Sequence, residues 1–481
     1  MKKLLAAVCV STLLSTTACR DAGSADLHSG APAGTTADSV TLGSGEAVDS
    51  AGVVAASGVR ALTPSQVAGR APAQLRGIYL NAYAAGSTNR LNALMALADS
   101  TEINTFVIDV KDERGIRYRS DIELAMELAQ PGEVMIRDLS ALAARLKERG
   151  IWSMARIVVF KDPILAEAKP EWTIRRPDGG VWIDREGHTW VSTWEPAVWD
   201  YNIDIAEEVA RAGFDEIQFD YIRFPEAYRS LPDQIHPQAK GDRSDAIAAF
   251  LDEARRRLHP LGVVVAADVF GLSPNDPRDV AIGQQWETVL AKADHVLPMV
   301  YPSHYFPTHL RNVPRPNRMP YETVFTSLGI GMVRWSRLQE AGVRPGRVIP
   351  WLQAFNAPWV DRDYEYGPEQ AAAQIRAVYD VGLDDWIFWH PGSRYAQIEA
   401  AFERETTSRK VEFTPSSDFV SQADLLDRQG ARAAREAAAG RRSAPADNNS
   451  NNSNESNGSN GNGGNGSNGS SGSNDVGGSH R

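Results

Sequence analysis

Between residues 74 and 404, short apolar runs rich in β-branched residues take turns with longer stretches in which apolar positions recur every three or four residues. A period of two alternating with a period of 3.6 is the pattern of βα units feeding a parallel sheet. The runs predict strands at 77–82, 104–110, 152–159, 216–221, 262–269, 295–301, 348–354 and 385–389. Helices are predicted at 91–98, 136–148, 201–212, 245–258, 284–291, 321–341 and 368–379. Glycine closes several of the helical stretches, as in Arg149-Gly150-Ile151 and Ala212-Gly213-Phe214, where a helix end calls for a left-handed residue. Eight strands in this arrangement predict an α/β fold, a (β/α)8 TIM barrel. An open doubly wound sheet is the alternative, but the first strand leads into Asn81-Ala82-Tyr83-Ala84-Ala85-Gly86, which lacks a dinucleotide-binding glycine pattern. Between strands three and four lies an insertion, Glu171 to Asp184. Its alternation about Asp178-Gly179-Gly180 predicts a β-hairpin over the top of the barrel.

The flanks read differently. Met1-Lys2-Lys3 followed by an apolar run to Leu14 is a secretory signal over 1–19, too short to span a bilayer as a mature helix. Cys19 follows Thr16-Thr17-Ala18, which resembles a bacterial lipoprotein cleavage site except that Thr16 stands where Leu is expected. Lipidation of Cys19 is therefore the expectation, with ordinary signal-peptidase cleavage as the alternative; a lipid there would tether the chain without a spanning helix. Residues 20–73 are rich in Ala, Gly, Ser and Thr without a sustained period and are expected to form a disordered linker. A C-terminal extension, 405–447, holds a possible solvated helix at 422–442 with a thin apolar face, and 448–481 is an Asn/Gly/Ser tail expected to be flexible.

Both cysteines, Cys9 and Cys19, lie in the first twenty residues, so packing and not an intramolecular disulfide framework must hold the barrel. With 50 Lys and Arg against 61 Asp and Glu, a net charge of −11 and no basic stripe, nucleic acid is not an expected partner. A hydrophobic share of 42% and a charged share of 23% exclude a polytopic membrane protein. Membrane contact is expected only through a lipid anchor, and the location is expected to be secreted, periplasmic or at the cell surface.

Active sites of this fold lie at the C-terminal ends of the strands, so polar residues that end an apolar strand carry the information. Strand four places Glu216, Gln218 and Asp220 on one face and Ile217, Phe219 and Tyr221 on the other, and Asp220 ends it. Arg223, just beyond, is expected to hold a carboxylate ionised or to grip a substrate oxygen. Strand five places Val264, Ala266 and Asp268 on one face, with Asp268 at its end. Carboxylates topping adjacent strands could stand about 5 to 5.5 Å apart, the separation of a retaining glycosidase. Asp220 is expected as nucleophile and Asp268 as acid/base, roles that could be exchanged; for either residue alone, a loop cap or an ion pair is about as good a reading.

Substrate contacts are expected from Asp109, Arg156, Tyr221, Arg223, Tyr301, His304, Gln353 and Trp389 at other strand ends, although each by itself has a structural reading as well. His390 is a further possible donor. All 12 tryptophans fall between Trp152 and Trp389, and aromatic faces suit pyranose rings. Trp152, Trp286 and Trp386 are expected to be packing, and Trp182, Trp190, Trp194, Trp351 and Trp389 to be cleft candidates. No HExxH or closely spaced His/Cys cluster suggests a metal, and no cofactor is expected.

The segments Arg76-Gly77-Ile78-Tyr79, Phe106 to Asp112, Ala155 to Asp162, Phe219-Asp220-Tyr221-Ile222-Arg223-Phe224-Pro225 and Met299 to Tyr305 resemble the glycoside hydrolase domain of bacterial envelope proteins. The likeness covers about 74–400, and the Phe-Asp-Tyr-Ile-Arg-Phe-Pro run is its most specific piece. It implies a TIM barrel, a carbohydrate substrate of poorly defined kind, and Asp220 in a glycosidase-like position. Many TIM-barrel glycosidases carry a Glu on strand seven, where this chain has Gln353, which makes Asp268 the expected second carboxylate. The leading expectation is a glycoside hydrolase acting on an envelope or extracellular polysaccharide or oligosaccharide. The other is a glycan-binding or scaffold protein that keeps the barrel without catalysis.

Overall fold

The computed structural model describes residues 63–443 except 405, 406 and 408. The signal at 1–19 with Cys19, the linker as far as 62 and the tail at 448–481 lie outside the described residues. Eight parallel strands, β1 (Arg76–Leu80), β2 (Thr105–Asp112), β3 (Trp152–Val158), β4 (Glu216–Asp220), β5 (Val264–Phe270), β6 (His295–Met299), β7 (Arg347–Val348 and Trp351–Gln353) and β8 (Trp386–Trp389), pair in chain order, and β8 returns to β1 to close a barrel. All eight predicted strands are present. β7 is split at Pro350, which has no N–H to give to the ladder.

The seven predicted helices form at Thr88–Ser100, Leu139–Glu148, Pro196–Arg211, Arg243–Leu258, Trp286–Lys292, Pro320–Glu340 and Pro368–Asp380. One of them starts earlier than its periodicity, because Pro196 occupies a first-turn position where its missing donor costs nothing. Gly150 and Gly213 adopt φ of +66° and +107°, the left-handed helix ends the sequence calls for.

Two apolar layers hold the barrel. Outward residues such as Ile217 and Phe219 pack against the helices, the Phe219 ring lying 5.0 Å from that of Phe250. Inward, Tyr79, Val107, Met154, Val264, Ala266, Leu297 and Ile387 fill the interior. The other face of β4 is the polar one: Glu216 accepts from Trp152 Nε1 at 2.8 Å and meets His295 Nδ1 at 2.8 Å near the lower end of the barrel, all three buried. Gln218 and Asp220 follow above it on the same face.

The hairpin turns at Gly179, with φ of +84°, between the bridged residues Arg175 and Val181. The start of the fold differs from expectation, because residues 63–73 are not linker. Thr63 caps a short helix, Pro64–Ala68, whose Val67 joins Leu75, Trp152 and Ile387 at the lower end of the barrel. Arg347 donates to the carbonyls of Pro72 and Ala73, both at 2.7 Å. One capping box and one apolar side chain are too little pattern to show as periodicity.

The described residues as far as Ala433 form one compact unit; those from 434 to 443, the end of the helix Ser417–Ser443, belong to a second. Within the first unit, Phe419 and Ala423 of that helix are buried against Ile330 and Val333 of Pro320–Glu340. Arg337 adds an ion pair to Asp424 at 2.6 Å. The Phe419 ring occupies the space a side chain at Gly329 would need. Gly329→Val should therefore cost about 1–3 kcal/mol and open the segment after 416 to protease; an unchanged urea midpoint and cleavage pattern would show that this contact is not tight.

Candidate active site

Period-two alternation on neighbouring strands brings three inward carboxyl groups together: Asp109 of β2, Asp220 at the end of β4 and Asp268 of β5. Arg156 of β3 stands between the first two. Its Nη1 donates to Asp109 Oδ1 at 2.6 Å, while Nε and Nη2 donate to Asp220 Oδ2 at 2.9 and 2.5 Å. Tyr79 of β1 donates its hydroxyl to the other oxygen of Asp109. Phe219 pairs with Ala267, so the next register step sets Asp220 beside Asp268 on strands about 4.7–4.9 Å apart.

Asp268 has a different environment from Asp220. It is 1% exposed, its Oδ1 accepts from Trp351 Nε1 at 2.8 Å, and its Oδ2 has no hydrogen-bond partner among the described residues. Burial, followed by the charge of Asp220, holds its carboxyl well above the ordinary range, against the opposing bond from Trp351. Gln284 anchors the strand there, giving Nε2 to the Asp268 carbonyl at 3.0 Å and taking the Phe270 N–H at 2.9 Å. Burial also lifts Asp109, to about 6, although Arg156 opposes the rise. The hydroxyl of Tyr301 is held up by burial and by Asp268 and Asp220.

The apolar pattern puts Asp268 at its strand's end; β5 runs two residues further, to Phe270. The cation on Asp220 is Arg156, where Arg223 was expected. Arg223 is buried, gives Nη1 to Glu226 Oε2 and the Phe224 carbonyl, both at 3.1 Å, and lies over the rings of Trp190, Tyr221 and Phe270. Asp109 and Arg156 bond each other in this structure. Tyr221 has a positive φ of 52°, which turns the chain out of the sheet immediately after Asp220, and its N–H meets Asp220 Oδ1 at 2.6 Å.

Trp389 ends β8 with its ring 5.9 Å from Tyr79, 5.9 Å from Tyr301 and 5.2 Å from Phe355. His304 packs edge-on to Tyr301, and burial lowers its pKa to about 4; His390 is likewise lowered to about 4, by burial and then Arg394. Gln353, expected to touch substrate, is fully buried and engaged at both ends, taking the Ser303 N–H at 3.0 Å and giving Nε2 to the Phe355 carbonyl at 2.9 Å. It fastens the loops after β6 and β7.

Three expected cleft tryptophans are buried instead. Trp182 donates to the Pro232 carbonyl and Trp190 to Asp184, each at 2.9 Å and each buried, because the inserted hairpin needs an apolar underside of its own. Trp351 is buried as well, as the donor to Asp268. Tyr79, Gln284 and the exposed Trp359 carry no signal at the level of strand ends. Around the carboxyl pair Arg156, Tyr221, Phe270, Met299, His304 and Trp389 keep partial exposure. The one metal-like group among the described residues, Asp184, Glu186 and His188, starts at the last residue of the insertion and runs just past it, and Lys161 Nζ is 3.0 Å from Glu186.

A family model described as "Putative glycosyl hydrolase domain" matches residues 77–395. Among solved structures, a hypothetical protein from Ruminiclostridium thermocellum is 36% identical over 40% of this chain and 97% of its own, with a TM-score of 0.37. The glycoside hydrolase domain of PgaB (BpsB) from Bordetella bronchiseptica is 15% identical over 69% of this chain and 100% of its own, with a TM-score of 0.48. The glycoside hydrolase domain of PelA from Pseudomonas aeruginosa is 12% identical over 68% and 99%, with a TM-score of 0.37. No curated protein matches the chain.

Proposed function

This chain belongs to that glycosyl hydrolase domain family, and on this premise we propose that it is a glycosidase cleaving an envelope or extracellular polysaccharide with Asp220 and Asp268. The observation that carries the reading is the contrast between two carboxyl groups on adjacent strands: Asp220 is bonded by the Arg156 guanidinium, whereas Asp268 is buried with one oxygen unpartnered. Environments that push two carboxyl groups apart assign one to proton donation and the other to nucleophilic attack.

In the first step Asp268 gives its proton to the glycosidic oxygen as the bond to the anomeric carbon breaks, and an Asp220 oxygen bonds that carbon. In the second, Asp268 takes a proton from water, whose oxygen displaces Asp220 and frees the sugar. Arg156 fixes the orientation of Asp220 and stabilises it as leaving carboxylate. Asp109, Tyr301 and Trp389 border the space for the sugar. Secretion through the 1–19 signal, with a lipid on Cys19, would put the enzyme where such polymers are.

The second reading, a glycan-binding or scaffold protein without catalysis, draws on Gln353, a buried amide at the strand where many such barrels carry a Glu. Incubation with a panel of soluble polysaccharides, assayed for new reducing ends, separates the two. New reducing ends from at least one polymer are expected; binding without any release across the panel would leave the scaffold reading.

A further inference from the structure

The loop after β7 presents Trp359 at 49% exposure, unusual for the largest apolar side chain in a protein whose other tryptophans are buried or half-buried. Its ring lies nearly parallel to that of Phe355, at 6.1 Å and 15°, so one face is backed and half of its surface remains open. Phe355 meets Trp389 edge-on at 5.2 Å, Trp389 meets Tyr79, and Tyr79 bonds Asp109. A continuous series of rings therefore runs from the surface to the carboxyl groups. The loop is pinned: the N–H groups of Val360 and Asp361 both donate to the Ala357 carbonyl at 2.9 Å, and Arg318 grips both oxygens of Asp361. Tyr366 closes the base by donating to the Asn317 carbonyl at 3.0 Å.

A lone exposed apolar residue on a mobile tip is ordinary surface. A tryptophan held rigid, backed by a second ring and continuous with the site is a preformed platform, since little freedom is lost when a flat ligand settles on it. We propose that Trp359 is an outer subsite that stacks a pyranose ring of the substrate, with Phe355 supporting it. Two ring-to-ring steps separate it from Trp389, so a single sugar between the carboxyl groups does not reach it. The substrate is accordingly a glycan chain long enough to lie across the loop after β7. This rests on the glycosidase reading and adds to it a place where the polymer is held beyond the sugar that is cleaved.

The test is affinity electrophoresis of the full chain through native gels containing each soluble polysaccharide of the panel, which needs binding and no turnover. Wild type is expected to be retarded by at least one polymer, and Trp359→Ala should lose about tenfold in affinity for it, with Trp359→Phe recovering part of the loss. Circular dichroism melting curves confirm that the variants fold. For a polymer that is cleaved, the ratio of kcat/KM on the long chain to kcat/KM on its nitrophenyl monoglycoside should fall by a similar factor in Trp359→Ala. Wild-type affinity in Trp359→Ala, or no retardation of wild type by any polymer, would overturn the subsite. Retardation that depends on Trp359 in a protein that releases no reducing ends would instead keep the subsite and overturn the glycosidase.

Discussion

Asp268→Asn is expected to lower kcat by about 10²–10⁴-fold, the usual loss of a general acid, while raising the melting temperature at neutral pH. The two effects share one cause. Burial and the neighbouring Asp220 hold the Asp268 carboxyl well above its ordinary value, so the folded protein keeps a proton that the unfolded chain releases. A raised acid contributes its full stability below the ordinary carboxyl range, and that contribution is lost as pH rises through the folded-state value. Asparagine can still accept from Trp351 Nε1 through its carbonyl oxygen, and it has no charge to desolvate. The variant should therefore match wild type near pH 3 and exceed it in melting temperature at neutral pH. Melting curves across pH give the difference directly; a variant less stable than wild type at pH 7 would contradict a protonated, buried Asp268. Asp220→Asn should remove activity to a comparable degree, and full turnover in both variants would end the two-carboxylate assignment.

Arg156→Met is expected to be among the most damaging single substitutions in the barrel, at about 3–5 kcal/mol. Asp109 and Asp220 are 3% and 5% exposed and receive three bonds from this one guanidinium. Without it, two buried carboxyl groups on either side of β3 are left with a backbone N–H and one phenol. Lysine keeps the charge but cannot reach both acids in a planar fork, so Arg156→Lys should recover only part of the stability. Adding Asp109→Asn to Arg156→Met should recover some as well, by removing one of the stranded acids. Urea unfolding of the three variants checks the ordering; a loss below about 1 kcal/mol for Arg156→Met would mean that solvent reaches this pair far more than its burial indicates.

The eightfold alternation was legible because each βα unit repeats the same local requirement, a two-residue period for a strand and a 3.6-residue period for the helix that covers it. The polar face of β4 was legible for the same reason: Glu216, Gln218 and Asp220 break an apolar pattern that Ile217 and Phe219 keep, and a closed barrel has only one place for such a face. Pairings across the barrel were not. Arg223, three residues past Asp220 in the motif Phe-Asp-Tyr-Ile-Arg-Phe-Pro, has the spacing of its cation, but the positive φ of Tyr221 swings it among Trp190 and Phe270. Arg156, sixty-four residues away in the chain, arrives through strand register. Trp182 and Trp190 have the composition of a cleft and the position of a core, since exposure depends on what the insertion folds against.

By itself the sequence determined the barrel, its strand order and the faces on which Asp220 and Asp268 lie, because periodicity and alternation act over a few residues at a time. Tertiary structure decided which side chain neutralises which, that Asp268 is the member of the pair with an oxygen left unpartnered among the described residues, and that Trp359 stands open on a pinned loop. Those depend on groups tens to hundreds of residues apart meeting across a closed sheet, where burial and distance set the charge of a carboxyl and no local pattern records either.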